Sequence, residues 1–315
     1  MRPLKNIIKL LLVLLAGLFL LVLVIFGHRD IPLEDLKAKY GQPPSGFISI
    51  NGMQVHYRDE GPVTDSIPLV LIHGTGSSLH TFNAWTNKLK ETRRVIRMDL
   101  PGYGLTGPFP NRDYSMAHYL EFLAAFMKAL SIKYCVLGGN SLGGGIAWRY
   151  TLQHPNTVHQ LILIDASGYP TASMSRPLAF QLAELPIIKN IFTIVTPKFV
   201  ARSSVENVYA DPSLVSDSLV DRYFELTLRA GNRQAFADRL AVEHDPEDHK
   251  DIVTISQPTL ILWGDKDALI PLEMAHRFHE DLRQSTLIVL KEVGHVPMEE
   301  QPFESLKAVR AFINR

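Results

Sequence analysis

The stretch Lys133–Tyr150 reads KYCVLGGNSLGGGIAWRY, and within it Gly139-Asn140-Ser141-Leu142-Gly143 fits the pattern G-x-S-x-G. A serine becomes a nucleophile when it is raised on a sharp strand-to-helix turn. Such a turn needs neighbours two residues away that lack side chains, because a Cβ there would collide with the adjacent strand and helix. The helix that follows aims free N–H groups at developing negative charge. The bland reading is a glycine-eased helix packing, a role that suits Gly144 and Gly145 better than Gly139 and Gly143.

An isolated serine hydroxyl is a poor nucleophile at neutral pH; it needs a base, and the base needs an orienting carboxylate. The chain supplies both downstream, in the order Ser, acid, His. In LILWGDKDALIP, Asp267 stands three residues past Gly264, and in KEVGHVPMEEQP, His295 follows Gly294. Each follows a predicted strand, and open α/β sheets gather ligands at the carboxyl ends of their strands. His295 is expected to take the proton from Ser141, and Asp267 to hold the imidazole tautomer. Asp265 is the near rival, and Asp165, at the end of LILID, is a second possible acid. A tetrahedral intermediate also needs two backbone donors. One is the N–H of Leu142. The other is expected from the loop His73-Gly74-Thr75-Gly76-Ser77, at Thr75 or its neighbour Gly76, with His73 as a brace.

These residues need a scaffold, and the patterning describes one. FISI and MQVHYRD alternate around Asn51-Gly52, a hairpin signal. Short apolar runs (IPLVLIHG, RRVIRMDL, KYCVLGG, HQLILIDAS) then alternate with helical stretches (TFNAWTNKLKE, SMAHYLEFLAAFMKAL, SLGGGIAWRYTLQH). That alternation predicts a mostly parallel sheet with helices on both faces. Residues 168–252 hold no clear strand and read as helices around PLAFQLAEL, IIKNIFTIV, SLVDRYFELTLRAG and RQAFADRLAVE. PTLILWG and STLIVLKE resume the strands, with helices near LEMAHRFHEDL and SLKAVRAFI. The division is therefore a core of residues 47–167 and 253–315, with a helical cap of residues 168–252 between late strands.

Of 315 residues, 46% are hydrophobic, so a sizeable core is available, and the 32 basic residues balance 32 acidic ones. No basic stripe points to nucleic acid. With Cys135 as the single cysteine there is no internal disulfide and no cysteine-rich zinc site. Gly102-Tyr103-Gly104-Leu105-Thr106-Gly107 matches G-x-G-x-x-G literally, but Pro108 and Pro110 follow where a dinucleotide site needs a helix. At the N-terminus, Arg2, Lys5 and Lys9 precede an unbroken apolar run from Leu10 to Phe26. It reads as an uncleaved membrane anchor of residues 1–27, with residues 28–315 on the extracytoplasmic side; a cleaved signal is the alternative. Residues 28–46 read as a linker.

With HGTG, MDLPGYG, GGNSLGG, GDKD and VGHVPMEEQP in this order, residues from about 47 to 315 resemble the α/β-hydrolase superfamily. The resemblance implies an eight-stranded sheet, a triad of Ser141, Asp267 and His295, an oxyanion hole at Leu142 and Thr75, and no cofactor. Relatives with Asp at the nucleophile, the dehalogenases and epoxide hydrolases, are disfavoured by the serine. Around GGNSLGGGIAW and LIDASGYP the chain looks similar to bacterial lipase-like esterases. The Asn140-Ser141 pair also resembles carbon–carbon bond hydrolases of aromatic ring cleavage, which carry Trp where this chain has Val296. The expected activity is hydrolysis of carboxylic esters, lipid-derived or medium-chain. The apolar cap residues, among them Leu178, Phe180, Leu182, Ile187, Ile188, Ile191, Phe192, Ile194 and Val195, are expected to supply part of an acyl pocket. Cleavage of carbon–carbon, lactone or thioester bonds, and a non-catalytic binding role, are the alternatives.

Overall fold

The computed structural model describes residues 2–185, 193–242, 245 and 247–314. It opens with α1 (Arg2–Phe26) and α2 (Leu33–Tyr40), followed by the hairpin β1 (Ser45–Ile50) and β2 (Met53–Glu60). Then come β3 (Leu69–Ile72), α3 (Asn83–Leu89), β4 (Val95–Met98), α4 (Met116–Ala129), β5 (Cys135–Asn140), α5 (Leu142–Gln153) and β6 (Val158–Ile164). Helices α6 (Leu178–Glu184), α7 (Lys198–Asn207), α8 (Asp217–Thr227) and α9 (Asn232–Leu240) follow without an intervening strand among the described residues. The chain closes with β7 (Thr259–Gly264), α10 (Glu273–Asp281), β8 (Ser285–Leu290), α11 (Pro297–Glu300) and α12 (Pro302–Ile313).

The eight strands form one sheet in the order β1-β2-β4-β3-β5-β6-β7-β8. β2 runs antiparallel to both its neighbours, and the remaining pairs are parallel. Strand period two divides the core. Val70, Ile72, Leu137, Leu161, Leu163, Ile261 and Trp263 face α4, α5 and α10. Leu69, Leu71, Val136, Ile162, Ile164, Leu260 and Leu262 face α3 and α12. Both faces are covered, so strands such as LVLI read as continuous apolar runs rather than as alternation. Trp85 Nε1 donates to Ser305 Oγ at 3.0 Å and ties the two helices of the second face together. The chain leaves β3 toward β4 on one side and returns to β5 on the other, and this reversal opens a crevice above β3 and β5.

One expectation needs correction. Residues 28–46 are not simply a linker: α2 buries Leu36 and Tyr40 against Leu105 and Leu226, and β1 begins at Ser45. An eight-residue, largely polar helix whose large apolar residues are Leu33, Leu36 and Tyr40 offers too few turns for its periodicity to stand out from a loop. The helix expected around IIKNIFTIV, with Ile187, Ile188, Ile191 and Phe192, falls mostly outside the described residues, while Val195 pairs with Gly27 in an isolated bridge. Helix α7, which had not been expected, starts after Pro197, where a fixed φ suits a helix entry. The G-x-G-x-x-G segment is turn rather than helix, wrapped on Asp99, whose Oδ2 accepts from the Leu105 N–H at 2.7 Å.

Asp99 also accepts from the Leu79 N–H at 2.7 Å and from His56 Nδ1 at 2.7 Å, so one buried carboxylate fixes two loops. Burial would raise the Asp99 pKa, yet the charge and hydrogen bond of His56 hold it below the usual carboxylate range. Beside it, His80 donates from Nε2 to the Tyr40 carbonyl at 3.0 Å. Burial pushes the His80 imidazole down to about 3. Between about pH 6.5 and that value the unfolded chain therefore binds a proton that the folded chain does not. The stability held above pH 6.5 is lost as pH falls through the window. From pH 7 to pH 5 this one group is expected to cost about 2 kcal/mol. Chemical unfolding of His80→Gln, which keeps a donor for Tyr40, should show a correspondingly smaller drop over that interval than wild type.

Candidate active site

Strand β5 ends at Asn140 and α5 begins at Leu142, so Ser141 is the whole connection, with φ 54° and ψ −118°. A non-glycine residue held there costs of order 1–3 kcal/mol and persists only where its surroundings over-determine it. They do so through hydrogen bonds. The Ser141 N–H donates to the Ile164 carbonyl at 3.1 Å. The Ser141 carbonyl accepts from the N–H groups of Gly145 and Ser167 at 3.0 and 3.1 Å and from Ser167 Oγ at 3.2 Å. The flanking glycines have no alternative: a Cβ on Gly139 would stand 2.2 Å from the Gly143 carbonyl carbon, and one on Gly143 would stand 2.2 Å from the Ile72 oxygen.

His295 and Asp267 lie on the loops after β8 and β7, and both are buried. His295 Nδ1 hydrogen-bonds Asp267 Oδ2 at 2.7 Å. The other Asp267 oxygen accepts from the N–H groups of Leu269 and Ile270 at 2.8 and 2.9 Å, which keeps this carboxylate oriented. Asp265 points elsewhere, accepting from the Glu292 N–H at 2.7 Å. Asp165, at the end of β6, is fully buried with φ 43°; its Oδ1 accepts from the Gly264 N–H at 2.9 Å, and its Oδ2 has no protein partner. Asp165, Asp267 and His295 each offer an atom within 4.8 Å of the others. Burial, and then the charge of Asp267, push the Asp165 carboxyl well above the usual range. A carboxyl driven toward its neutral form is a poor cation ligand and a good hydrogen-bond donor.

Thr75, Gly76, Ser141 and His295 share the wall of one cavity of about 110 Å³, whose remaining lining includes Phe180, Val200, Val205, Val208, Phe224, Phe236 and Leu269. Leu142, Thr75 and Ser141 also border a second, larger cavity of about 500 Å³ with a mixed lining, in which Arg149, Arg176, Arg239, Glu184, Asp245 and Asp248 stand among Met116, Tyr169, Leu240, Val242 and Ile270. The two meet at Thr75, Ser141, Phe180 and Leu269. As the first residue of α5, Leu142 has an N–H without an intrahelical acceptor. His73 is the expected brace: its Nδ1 donates to the Gly74 carbonyl at 2.8 Å and its Nε2 accepts from the Leu100 N–H at 2.9 Å.

Sequence reasoning overlooked several positioning residues. Asn140 Nδ2 donates to the carbonyls of Ile164 and His295 at 3.1 and 2.9 Å, tying the serine turn to the histidine loop. Glu300 accepts from the N–H groups of Gly294 and Asp211 at 2.6 and 2.9 Å, and the His295 N–H donates to the Val208 carbonyl at 2.8 Å. The run VGHVPMEEQP contains the glutamates, but nothing in one chain's sequence says which carbonyl or amide a buried carboxylate will meet.

Residues 67–302 match the family model for the alpha/beta hydrolase fold, and the chain belongs to that family. The chain is thus a hydrolase by class. Over 273 residues it is 28% identical to Lipase 3 of Moraxella sp., covering 83% of this chain and 82% of that one. It is likewise 28% identical over 290 residues to 2-hydroxy-6-oxo-2,4-heptadienoate hydrolase of Pseudomonas putida, covering 89% and 99% of the two chains. Among solved structures, the meta-cleavage product hydrolase of Pseudomonas fluorescens superposes with a TM-score of 0.73 at 25% identity, covering 85% of this chain and 97% of that one.

The Asp165–Asp267 contact yields a directional test. A carboxyl raised by folding binds a proton in the folded state that the unfolded chain has released above pH 3.8, so it lowers stability as pH rises. Asp165→Asn removes that titration while keeping a donor. Its stability relative to wild type should therefore increase between pH 4 and pH 7 in parallel unfolding curves; a constant difference would mean that Asp165 is ionised in the fold.

Proposed function

We propose that the chain is a serine hydrolase acting on carboxylic esters with an apolar acyl group and a polar alcohol part. The observation that carries this is the position of Ser141 at the junction of an apolar cavity and a larger one that holds charged side chains, with the hydrogen-bonded His295–Asp267 pair beside the apolar one. On this reading Ser141 Oγ attacks the acyl carbon and gives its proton to His295 Nε2. Asp267, bonded to Nδ1, stabilises the imidazolium. The Leu142 N–H and the N–H of Thr75 or Gly76 bind the oxyanion. The alcohol leaves with the proton from His295, and a water deprotonated by the same imidazole then releases the acid. Residues 168–252 act as a cap on the core of residues 47–167 and 253–315, and α1 acts as a membrane anchor with the catalytic domain on the extracytoplasmic side. The most apolar 18-residue window of Asn6–Phe26 has a mean hydropathy of 3.1 and is unburied. At ~1.5 Å per residue the whole of Asn6–Phe26 spans roughly 30 Å, the thickness of a bilayer's hydrocarbon core.

Carbon–carbon bond hydrolysis is the second reading, favoured by the named activities of the Pseudomonas relatives. The deciding experiment compares wild type and Ser141→Ala on p-nitrophenyl esters of increasing acyl length and on a vinylogous 1,5-diketone. We expect ester turnover that falls at least about a thousandfold in Ser141→Ala and fluorophosphonate labelling that is lost with it. Turnover of the diketone alone would move the assignment to the second reading. Ester turnover unchanged in Ser141→Ala would end both.

A further inference from the structure

The last turn of α1 does not leave the domain freely. The Phe26 carbonyl accepts from the Thr196 N–H at 3.2 Å, Gly27 pairs with Val195, and the His28 N–H donates to the Ile194 carbonyl at 3.2 Å. Asp30 pairs with Arg233 at 2.7 Å, and the Ile31 N–H donates to the Leu228 carbonyl at 2.9 Å. The Phe26 ring meets Phe199 edge-on at 5.9 Å, and the His28 ring meets Phe224 at 5.0 Å. Thr196 and Phe224, which receive these contacts, are themselves part of the apolar cavity wall beside Ser141. Residues 26–31 are thus a strap between a helix apolar enough to cross a bilayer and the wall of the cavity.

Around the strap lies apolar surface that the fold leaves uncovered. Ile194 and Phe199 are each 56% exposed, next to Val24 at 81% and Ile25 at 55%. This surface continues α1 directly, and the exposed Arg29 stands where the helix ends. Large apolar side chains continuous with a spanning helix, with a basic residue at its end, suit the interfacial layer of a membrane.

We propose that Ile194 and Phe199, together with the end of α1, form a bilayer-docking surface that seats the apolar cavity on the membrane, so that acyl chains enter it from the lipid. The occupant is the lipid bilayer itself. The proposal rests on the reading of α1 as an anchor, and the experiment separates the two. The native tryptophans Trp85, Trp148 and Trp263 are at most 1% exposed, which leaves a low background for an added one. Full-length chain is reconstituted in phosphatidylcholine vesicles whose acyl chains are brominated, with single substitutions Leu12→Trp, Phe199→Trp and Val63→Trp. Val63 follows Glu60, which pairs with the first residue of β4, so it marks the end of the sheet opposite Ser141.

The expected result is strong quenching at positions 12 and 199 and none beyond background at 63. Quenching at 12 with 199 no more quenched than 63 overturns the docking surface and leaves the anchor standing. No quenching at 12 overturns both. In a second arm, Phe199→Glu should lose at least tenfold in rate on a long-chain ester dispersed in vesicles while staying within twofold on a soluble short-chain ester. Equal rates of wild type and variant on the vesicle substrate also overturn the proposal. Because quenching needs no turnover, it decides docking even if the chain hydrolyses no ester.

Discussion

Everything at the candidate site depends on one close approach: the backbone of α5 pressed against the end of β5 and the loop after β3. Gly143 lies so near Ile72 that no side chain fits, and Gly139 lies equally near Gly143. Only at that separation can one residue, Ser141, join strand to helix with a positive φ and keep its N–H and carbonyl satisfied by Ile164, Gly145 and Ser167. The same geometry brings the Gly74–Gly76 loop beside the serine and starts α5 with an unpaired N–H. The candidate nucleophile and both candidate oxyanion donors therefore follow from one packing constraint, and a methyl group at either glycine would disturb all of them together.

Two buried carboxyls behind His295 divide a task by environment. Asp267 is oriented by two backbone N–H groups and the imidazole. Asp165 has one backbone donor, full burial and a charged neighbour, which favour its neutral form. Two adjacent carboxylates cannot both ionise cheaply in a dry site. A neutral Asp165 places no competing negative charge beside the Asp267–His295 pair. Both strand-end acids reach the site, and Asp267 is the one whose hydrogen bond to His295 is seen.

The mostly parallel sheet, most of its helices and the candidate site residues could be read from the chain because each leaves a local signature. Strands covered on both faces appear as apolar runs, and α4 shows its buried stripe of Tyr119, Phe122, Leu123 and Phe126 at helical spacing. The serine turn is announced by its glycines, and the acid and base by strand-end loops. What was illegible depends on contacts distant in the chain. Helix α2 was read as linker because its burial comes from Leu105 and Leu226. Asn140 acts on the His295 carbonyl, 155 residues away, and Glu300 holds the Asp211 amide, 89 residues away. Helix α7 is short and mostly polar, and it contributes Val200 and Val205 to the cavity wall through tertiary packing.

Those distant contacts also bind the helical segment to the chemistry. The His295 N–H is held by Val208, at the end of α7, and Glu300 grips both the histidine loop and Asp211. Glu299 accepts from Tyr209 and Tyr223 at 3.0 and 3.1 Å and pairs with Arg222 of α8. The segment that walls the apolar cavity is thus the one that positions His295. A displacement of α7 and α8 large enough to widen the cavity must break the bond to the His295 backbone or carry the imidazole with it. Cavity size and base alignment are consequently not independent variables in this fold. Under the proposed function, an acyl group that fits without moving α7 would keep the imidazole in register with Asp267, whereas a bulkier one would gain its space at the expense of that register. Selectivity for the acyl part would then appear in turnover as much as in binding.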